Sequence, residues 1–331
     1  MRNDRFLLAL AVSGALAFGV AACGDDEEPS GGGGTQEAAS SGGGGGGELS
    51  GNIAIDGSST VAPFAEAAAE LFQEESSGVQ ITVGTSGTGG GFEKFCAGET
   101  DISDASRPID PEEEVPVCEQ GAVTYTEVVV ANDGIAVATN KDLTVDCLTL
   151  DQLKELWNKG SKVKSLAEVD STLPDTELSL YGPGTDSGTF DFFTDAINGE
   201  EGVSREDYEA SEDDNQLVTG VAGDAGGFGY FGFSYYEGAA DKLNLVGVDS
   251  GDGNCVKPSV ETIQDGSYKP LSRPLFMYPK ADAMKRPEVK AFMEFIVDQA
   301  PAIAEAAKIV PLTDEQTKTA KDELATAESG T

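Results

Sequence analysis

Short apolar runs of strand character lead, through turns of Ser, Thr and Gly, into segments with helical spacing, and this unit recurs along the chain. Residues 52–56 carry Ile53 and Ile55. They are followed by the turn Gly57-Ser58-Ser59-Thr60 and by Val61, Phe64, Ala65, Ala68, Leu71 and Phe72, which predict a helix over 60–76. Pro63 falls in the first turn of that helix, where a missing N–H does no harm. A strand at 79–84, a Gly-rich turn at 85–90 and a short helix at 91–97 come next. A strand at 101–105 ends at Ser106-Arg107-Pro108. The runs 123–131 and 135–139 are strongly β-branched and read as strands. Residues 148–157 read as a helix, 178–181 as a strand entering the turn 182–188, and 189–197 as the helix after it. Later come a Gly- and aromatic-rich stretch at 226–233, strands at 243–248 and 273–278, and helices at 287–298, 301–308 and 314–327. Alternation of this kind specifies an α/β fold, in which ligands collect beyond the carboxyl ends of the strands. The three turns richest in Ser, Thr and Gly all sit at such ends.

The N-terminal segment sets the compartment. Arg2 and Arg5 precede an apolar stretch from Phe6 to Ala22 that is short for a membrane span and suits a secretory signal. It ends in Val20-Ala21-Ala22-Cys23, small residues before a Cys, as in a lipoprotein processing box where the Cys23 thiol takes lipid. Residues 24–49 are almost wholly Gly, Ser, Ala and acids, too polar to bury a core, and read as a flexible tether with a reach of roughly 25–30 Å. The body from about residue 50 onward is near the size at which one core splits into two.

Composition removes whole classes of function. The chain carries 59 acidic and 21 basic residues, a net charge of −38, which argues against nucleic acid and against an anionic membrane surface as partners of the body. It contains no histidine, so a Ser-His-Asp triad, a Cys-His pair and a His-ligated metal are all excluded. With Cys23 lipidated, Cys96, Cys118, Cys147 and Cys255 remain, an even number in an oxidising compartment. Three pairings are open. Cys96–Cys118 with Cys147–Cys255 is favoured, the first pair being close in sequence and the second able to meet if the chain folds back. None of the spacings is CxxC, and no metal or cofactor is expected.

A desolvated oxyanion calls for many short hydrogen bonds from backbone N–H groups and hydroxyls, best supplied at helix N-termini. Ser59-Thr60, the run Ser86-Gly87-Thr88-Gly89-Gly90-Gly91 and Ser187-Gly188-Thr189 each offer these groups at a strand-to-helix turn. Any one of them alone is most often a helix cap; three together are a constellation. The glycine run does not fit a dinucleotide fingerprint, since Phe92 stands where the last glycine belongs, and no Gly-Lys-Ser/Thr or GxSxG accompanies it. Arg107 is the one cation next to these turns and its guanidinium matches an oxyanion in two-pronged geometry; a surface ion pair is its plainer role. Asp186 and Asp104 lie beside these segments, where a carboxylate could accept a proton that phosphate carries and sulfate lacks, or could cap a helix or pair with Arg107.

Four segments in order then carry a resemblance: Asp56-Gly57-Ser58-Ser59-Thr60-Val61, Gly84-Thr85-Ser86-Gly87-Thr88-Gly89-Gly90, Asp101-Ile102-Ser103-Asp104-Ala105-Ser106-Arg107-Pro108-Ile109 and Gly182-Pro183-Gly184-Thr185-Asp186-Ser187-Gly188-Thr189-Phe190. With Gly226-Gly227-Phe228-Gly229-Tyr230-Phe231 they resemble the phosphate-binding proteins of high-affinity phosphate ABC transporters over nearly the whole body. The resemblance implies a two-lobed periplasmic-binding-protein-like fold of type II, with two mixed sheets flanked by helices, a hinge and two chain crossovers. The expected division is 50–131 plus about 255–331 for one lobe and about 132–254 for the other. It further implies ligand contacts from Ser59, Thr60, Ser86 and Gly87, with Ser187, Gly188 and Thr189 closing the site from the other lobe. Ser106 falls where better-known members carry a ligand-contacting Asp. Pro183 stands where an Arg is common, so Arg107 is expected to take over the charge role. The proton acceptor stays open between Asp186 and Asp104.

The expected function is therefore capture of inorganic phosphate outside the cytoplasm by a lipid-anchored monomer that delivers it to ABC permease subunits, with no enzymatic step. Sulfate, molybdate or tungstate on the same fold is the near alternative. An extracellular hydrolase using Ser86 or Ser187, and a sensor or adhesion lipoprotein, are the distant ones.

Overall fold

The computed structural model describes residues 49–329. The expected signal segment, the lipidated Cys23 and all but the last residue of the tether lie outside the described residues. Among the described residues no helix is long and apolar enough to cross a membrane.

The first half opens with β1 (Ser50–Gly57), α1 (Ala62–Glu75), β2 (Gly78–Gly84), α2 (Gly87–Cys96) and β3 (Ile102–Ala105). β1 pairs in parallel with β2 on one side and β3 on the other, so their carboxyl ends lie along one edge. α1 buries Phe64, Ala65, Ala68 and Phe72 on one face, as the spacing predicts. The Gly-rich segment behaves differently from the expected turn: Gly87 already begins α2, and the glycines form its first turn. After α3 (Val115–Gln120) comes β4 (Val128–Asn140), a single 13-residue strand where two were expected. It pairs with β11 (Ser272–Pro279) from Val128 to Gly134, and from Ile135 onward with β8 (Gly227–Gly232); β9 (Leu243–Asp249) joins it from Val137. β4 thus threads both halves, and all eleven strands connect in one sheet, eight of them along its main path.

The second half adds β5 (Cys147–Thr149), α4 (Leu150–Trp157), β6 (Ser179–Gly182), α5 (Gly188–Phe193) with a π turn at Thr194–Asn198, β7 (Glu209–Ala210), α6 (Asp214–Gly223), α7 (Phe233–Glu237), β10 (Cys255–Val256) and α8 (Val260–Gln264). Thr149 starts α4 with a capping box: its hydroxyl accepts from Gln152 N at 3.2 Å and its N–H donates back to the Gln152 side chain at 2.9 Å. The chain returns through β11 and closes with α9 (Pro287–Asp298), α10 (Ala300–Ala307) and α11 (Asp314–Ser329), with Val289, Phe292, Met293 and Ile296 of α9 against the first sheet.

Separate cores underlie the two halves. One contains Ile53, Phe64, Val130, Met277 and Phe292; the other contains Val137, Trp157, Phe193, Tyr230 and Val246. Ile263, Tyr268 and Leu271 pack into the second core. β4 changes partners at Gly134–Ile135. Disulfides join Cys96 to Cys118, inside a small aromatic cluster, and Cys147 to Cys255, which ties β5 to β10 across β9.

Candidate functional site

The carboxyl ends of β1, β2 and β3 meet α5 and β11 around one cavity of about 440 Å³. Its wall takes Ser59 and Thr60 from the turn after β1, Ser86 to Gly90 from the start of α2, Ser106 and Arg107 from the turn after β3, Asp191 and Phe192 from α5, and Arg273 from β11. Asp195 and Glu201 also line it and are exposed.

Ser58 decides what the first turn can offer. Its hydroxyl accepts from Thr60 N at 3.2 Å and its carbonyl accepts from Val61 and Ala62 N–H, which turns the chain into α1. Neither Ser59 nor Thr60 caps α1 with its side chain. Ser59 Oγ donates to Asp191 Oδ2 at 3.1 Å, and Thr60 Oγ1 donates to Gly188 O at 3.1 Å. Ser86 occupies the N-cap position of α2 but makes no side-chain cap. It donates instead to Asp56, whose other carboxylate oxygen receives Lys94 Nζ at 2.7 Å. Thr88 and Ser106 share a hydroxyl–hydroxyl bond of 3.1 Å, and Ser106 N donates to Thr88 Oγ1 at 3.2 Å. The first N–H groups of α2 have no partners inside the helix and belong to the residues that line the cavity.

The third turn divides differently. Ser187 caps α5, accepting from Thr189 N at 3.2 Å, and neither Ser187 nor Thr189 lines the cavity. Gly188 stands outside the cavity lining and its carbonyl accepts from Thr60 Oγ1. Asp186 is exposed, with its N–H turned to Glu212, and stands outside the cavity. Asp104 is wholly buried under the first turn, its carbonyl accepting from Ser58 N at 3.1 Å, and it too stands outside the lining.

Two guanidiniums reach the cavity, and they are not equivalent. Arg107 forks onto Glu114 with two bonds of 2.8 Å, and its side chain is 46% exposed. That fork raises its pKa further. Arg273 was not expected from sequence. Its side chain is 19% exposed, its guanidinium lies 3.7 Å over the Phe192 ring, and Nη2 donates to Thr60 Oγ1 at 2.9 Å. Nε approaches Asp133 Oδ2 at 3.6 Å, the residue opposite it in the β4–β11 ladder. Burial pulls the Arg273 pKa down and Asp133 opposes that pull, while burial pushes Asp133 up against the same guanidinium.

Carboxylates surround these cations. Burial raises Asp191 in spite of Ser59 and Arg273, and burial raises Glu201 with help from Asp191 and Asp195. Burial alone would raise Asp56, yet Lys94 and Ser86 together hold it below its ordinary value. Of the residues expected to contact a ligand, the structure brings Ser59, Thr60, Ser86, Gly87, Ser106 and Arg107 to one wall. Arg273, Asp191 and Phe192, missed from sequence, also line it. An arginine set in an otherwise apolar strand was the one available signal for Arg273.

Comparisons with known proteins bear on this geometry. Residues 35–300 match the profile of the PBP superfamily domain. Protein SphX of Synechococcus elongatus is 44% identical over 262 residues, 78% of this chain and 77% of that protein. The phosphate-binding protein PstS of Staphylococcus saprophyticus is 40% identical over 275 residues, 81% of this chain and 84% of its own length. Among solved structures, a possible phosphate binding protein from Planctomyces limnophilus superposes with a TM-score of 0.80 at 43% identity, covering 84% of this chain and 99% of that one.

Proposed function

The chain belongs to the PBP superfamily, alongside phosphate-binding protein PstS and protein SphX, and from that premise we propose that it captures inorganic phosphate outside the cytoplasm and hands it to an ABC uptake transporter. One observation carries the reading: groups from five separate chain segments, Arg273 among them, converge on one small polar cavity. A tetrahedral anion there is met by the Arg273 guanidinium, by the amides opening α2 and by the side chains of Ser59, Ser86 and Ser106. Arg107, tied to Glu114, contributes at the edge.

The lobes in this reading are 49–134 with 272–329, and 135–271. Their crossings run through β4 and β11, so a hinge movement opens and closes the cavity while Arg273 rides on a crossing strand. Bound phosphate stabilises the closed form, which the permease subunits recognise. The protein works as a monomer held to the membrane by lipid on Cys23.

No bond is made or broken. Ser86 with Asp56 and Lys94 has the outline of a nucleophile with a carboxylate partner. An Asp held below its ordinary pKa is a poor proton acceptor from a hydroxyl at neutral pH, which disfavours a hydrolase. Equilibrium dialysis with radiolabelled phosphate tests the assignment: saturable binding at micromolar concentrations or below is expected, and its absence removes it.

A further inference from the structure

Asn132 and Asp133 sit where β4 passes from the first core to the second, and their side chains point to opposite faces, as consecutive residues of a strand do. Asp133 turns to Arg273, a residue of the cavity wall; Asn132, only 2% exposed, turns the other way. There it meets the connector between α10 and α11. Asn132 N donates to Val310 O at 2.9 Å, and Val310 N donates back to Asn132 O at 3.0 Å. The Asn132 amide is used on the same segment: Nδ2 donates to Pro311 O and to Gln316 Oε1 at 3.0 and 3.1 Å, and Oδ1 accepts from Gln316 Nε2 at 2.9 Å. Successive connector residues bury towards different cores, Ile309 against the first and Val310 in the second. The connector is thus a third segment at the junction, beside β4 and β11. Gln264, at the end of α8, reaches it from the second half: Nε2 donates to Pro311 O at 2.9 Å. α8 is itself seated on the junction, with Ile263 in the second core and its Cδ1 standing 2.4 Å from where a Cβ on Gly134 would lie. One carbonyl therefore ties the crossing strand to a helix of the second half, on the face of β4 turned away from Arg273.

We propose that Gln264 is a positioning residue, a latch behind the hinge whose bond to Pro311 holds the closed arrangement and so tightens phosphate binding without touching the ligand. This rests on the reading of two lobes that close over phosphate, with α8 in one and the connector in the other. An N–H···O bond keeps its strength only within about 2.7–3.2 Å. Rotation about β4 and β11 carries α8 past the connector, and a shift of about 1 Å in either direction stretches or crowds a 2.9 Å contact beyond that range. The bond from Asn132 joins two groups of the same lobe and survives the movement. The Pro311 carbonyl is consequently satisfied in both arrangements. Gln264 is only partly buried, so its amide finds water once the latch is broken. The latch thus exchanges one hydrogen bond for another, and its weight is that of a single neutral pair.

Phosphate affinity and dissociation rate, urea midpoint and small-angle scattering would be measured on the wild type, Gln264→Met, Gln264→Glu and Gln316→Met. Gln264→Met keeps the length of the side chain and loses the donor. Its phosphate affinity should fall about fivefold, through faster dissociation, with the urea midpoint nearly unchanged. Gln264→Glu sets a carboxylate against the Pro311 carbonyl and should lose at least about tenfold. Gln316→Met removes bonds made inside one lobe, so it should lower the urea midpoint and leave affinity as it was. That contrast separates a latch from ordinary structural support. Gln264 variants that bind phosphate as the wild type does, or a Gln316→Met that loses as much affinity as Gln264→Met, overturn the proposal. A wild type that binds no phosphate overturns the proposed function by itself. The latch is then judged by scattering of the ligand-free proteins, where a Gln264→Glu with the wild-type radius of gyration overturns it and a larger one supports it.

Discussion

Thr60 and Gly188, 128 positions apart in sequence, meet across the cleft, the Thr60 hydroxyl donating to the Gly188 carbonyl at 3.1 Å. A Cβ on Gly188 would stand 2.3 Å from Thr60 Oγ1 and 2.4 Å from Thr60 N. The second of these is main chain, so no side-chain rotation relieves the clash. The two halves can touch here only because this position has no side chain.

Gly188→Ala should therefore hold the cleft partly open. Phosphate affinity is expected to fall by roughly tenfold to a hundredfold, since binding must now work against a closure it normally stabilises. Folding should be nearly unaffected, because the proposed hinge opening relieves the clash. Dialysis together with small-angle scattering checks this: the variant should keep the radius of gyration of the open protein at phosphate concentrations that compact the wild type.

The two arginines should separate cleanly. Arg107 is almost half exposed and already satisfied by Glu114, so Arg107→Ala should change phosphate affinity by no more than about threefold, in line with exposed ion pairs. Arg273→Lys keeps the charge but loses the fork and the flat face on Phe192, and should weaken binding by about a hundredfold. Lysine, unlike alanine, leaves the buried Asp133 with a cation nearby, so the loss can be read without unfolding the protein. Equal effects at both positions would mean that the two arginines share the charge role.

Much of this arrangement was legible in sequence, and the exceptions have physical causes. Ser59, Thr60, Ser86, Ser106 and Arg107 lie in local motifs at strand ends, where topology alone brings them together. Arg273 lies in no such motif; its role comes from a contact 213 positions away with Thr60, which no local pattern encodes. Asn132-Asp133-Gly134 has the composition of a turn, which split β4 into two expected strands. Tertiary contacts override it: Asn132 bonds Pro311 O and Gln316 at 3.0 and 3.1 Å, and Asp133 faces Arg273. The glycines after Ser86 likewise join α2 because α2 packs onto β1 and β3, which outweighs their low helix propensity. Ser187 went the other way, remaining the cap that a single Ser-Gly-Thr most often is.

Asp104 should make stability depend on pH. Burial raises its pKa from the ordinary 3.8 to about 8, and both carboxyl oxygens lack hydrogen-bond partners. Between those values the native protein holds a proton that the unfolded chain has released. Its contribution is thus fully present below pH 3.8 and is lost as pH rises towards 8. Asp104→Asn removes the penalty and should stabilise the protein by roughly 2–4 kcal/mol at pH 8, with the difference shrinking to zero or reversing near pH 4. Urea denaturation of both proteins across this range isolates the effect, because all other titrations cancel in the difference. A pH-independent difference would mean that Asp104 is ionised in the native state.

Finally, the protein must admit an anion against its own field. Its net charge is −38, and Asp191, Asp195 and Glu201 stand in the cavity wall. At low ionic strength that field extends tens of ångströms, with a Debye length near 30 Å at 0.01 M, and an approaching phosphate is repelled; at 0.15 M the length falls to about 8 Å. Once inside, the ligand is held by contacts shorter than either length. Added salt should therefore raise the association rate by roughly threefold to tenfold between 0.01 and 0.5 M while leaving dissociation almost unchanged, the reverse of ordinary electrostatic steering. Stopped-flow fluorescence over a sodium chloride series reads both rates. If association slows with salt, the local field of Arg273 and the α2 amides reaches beyond the cavity mouth and dominates the approach.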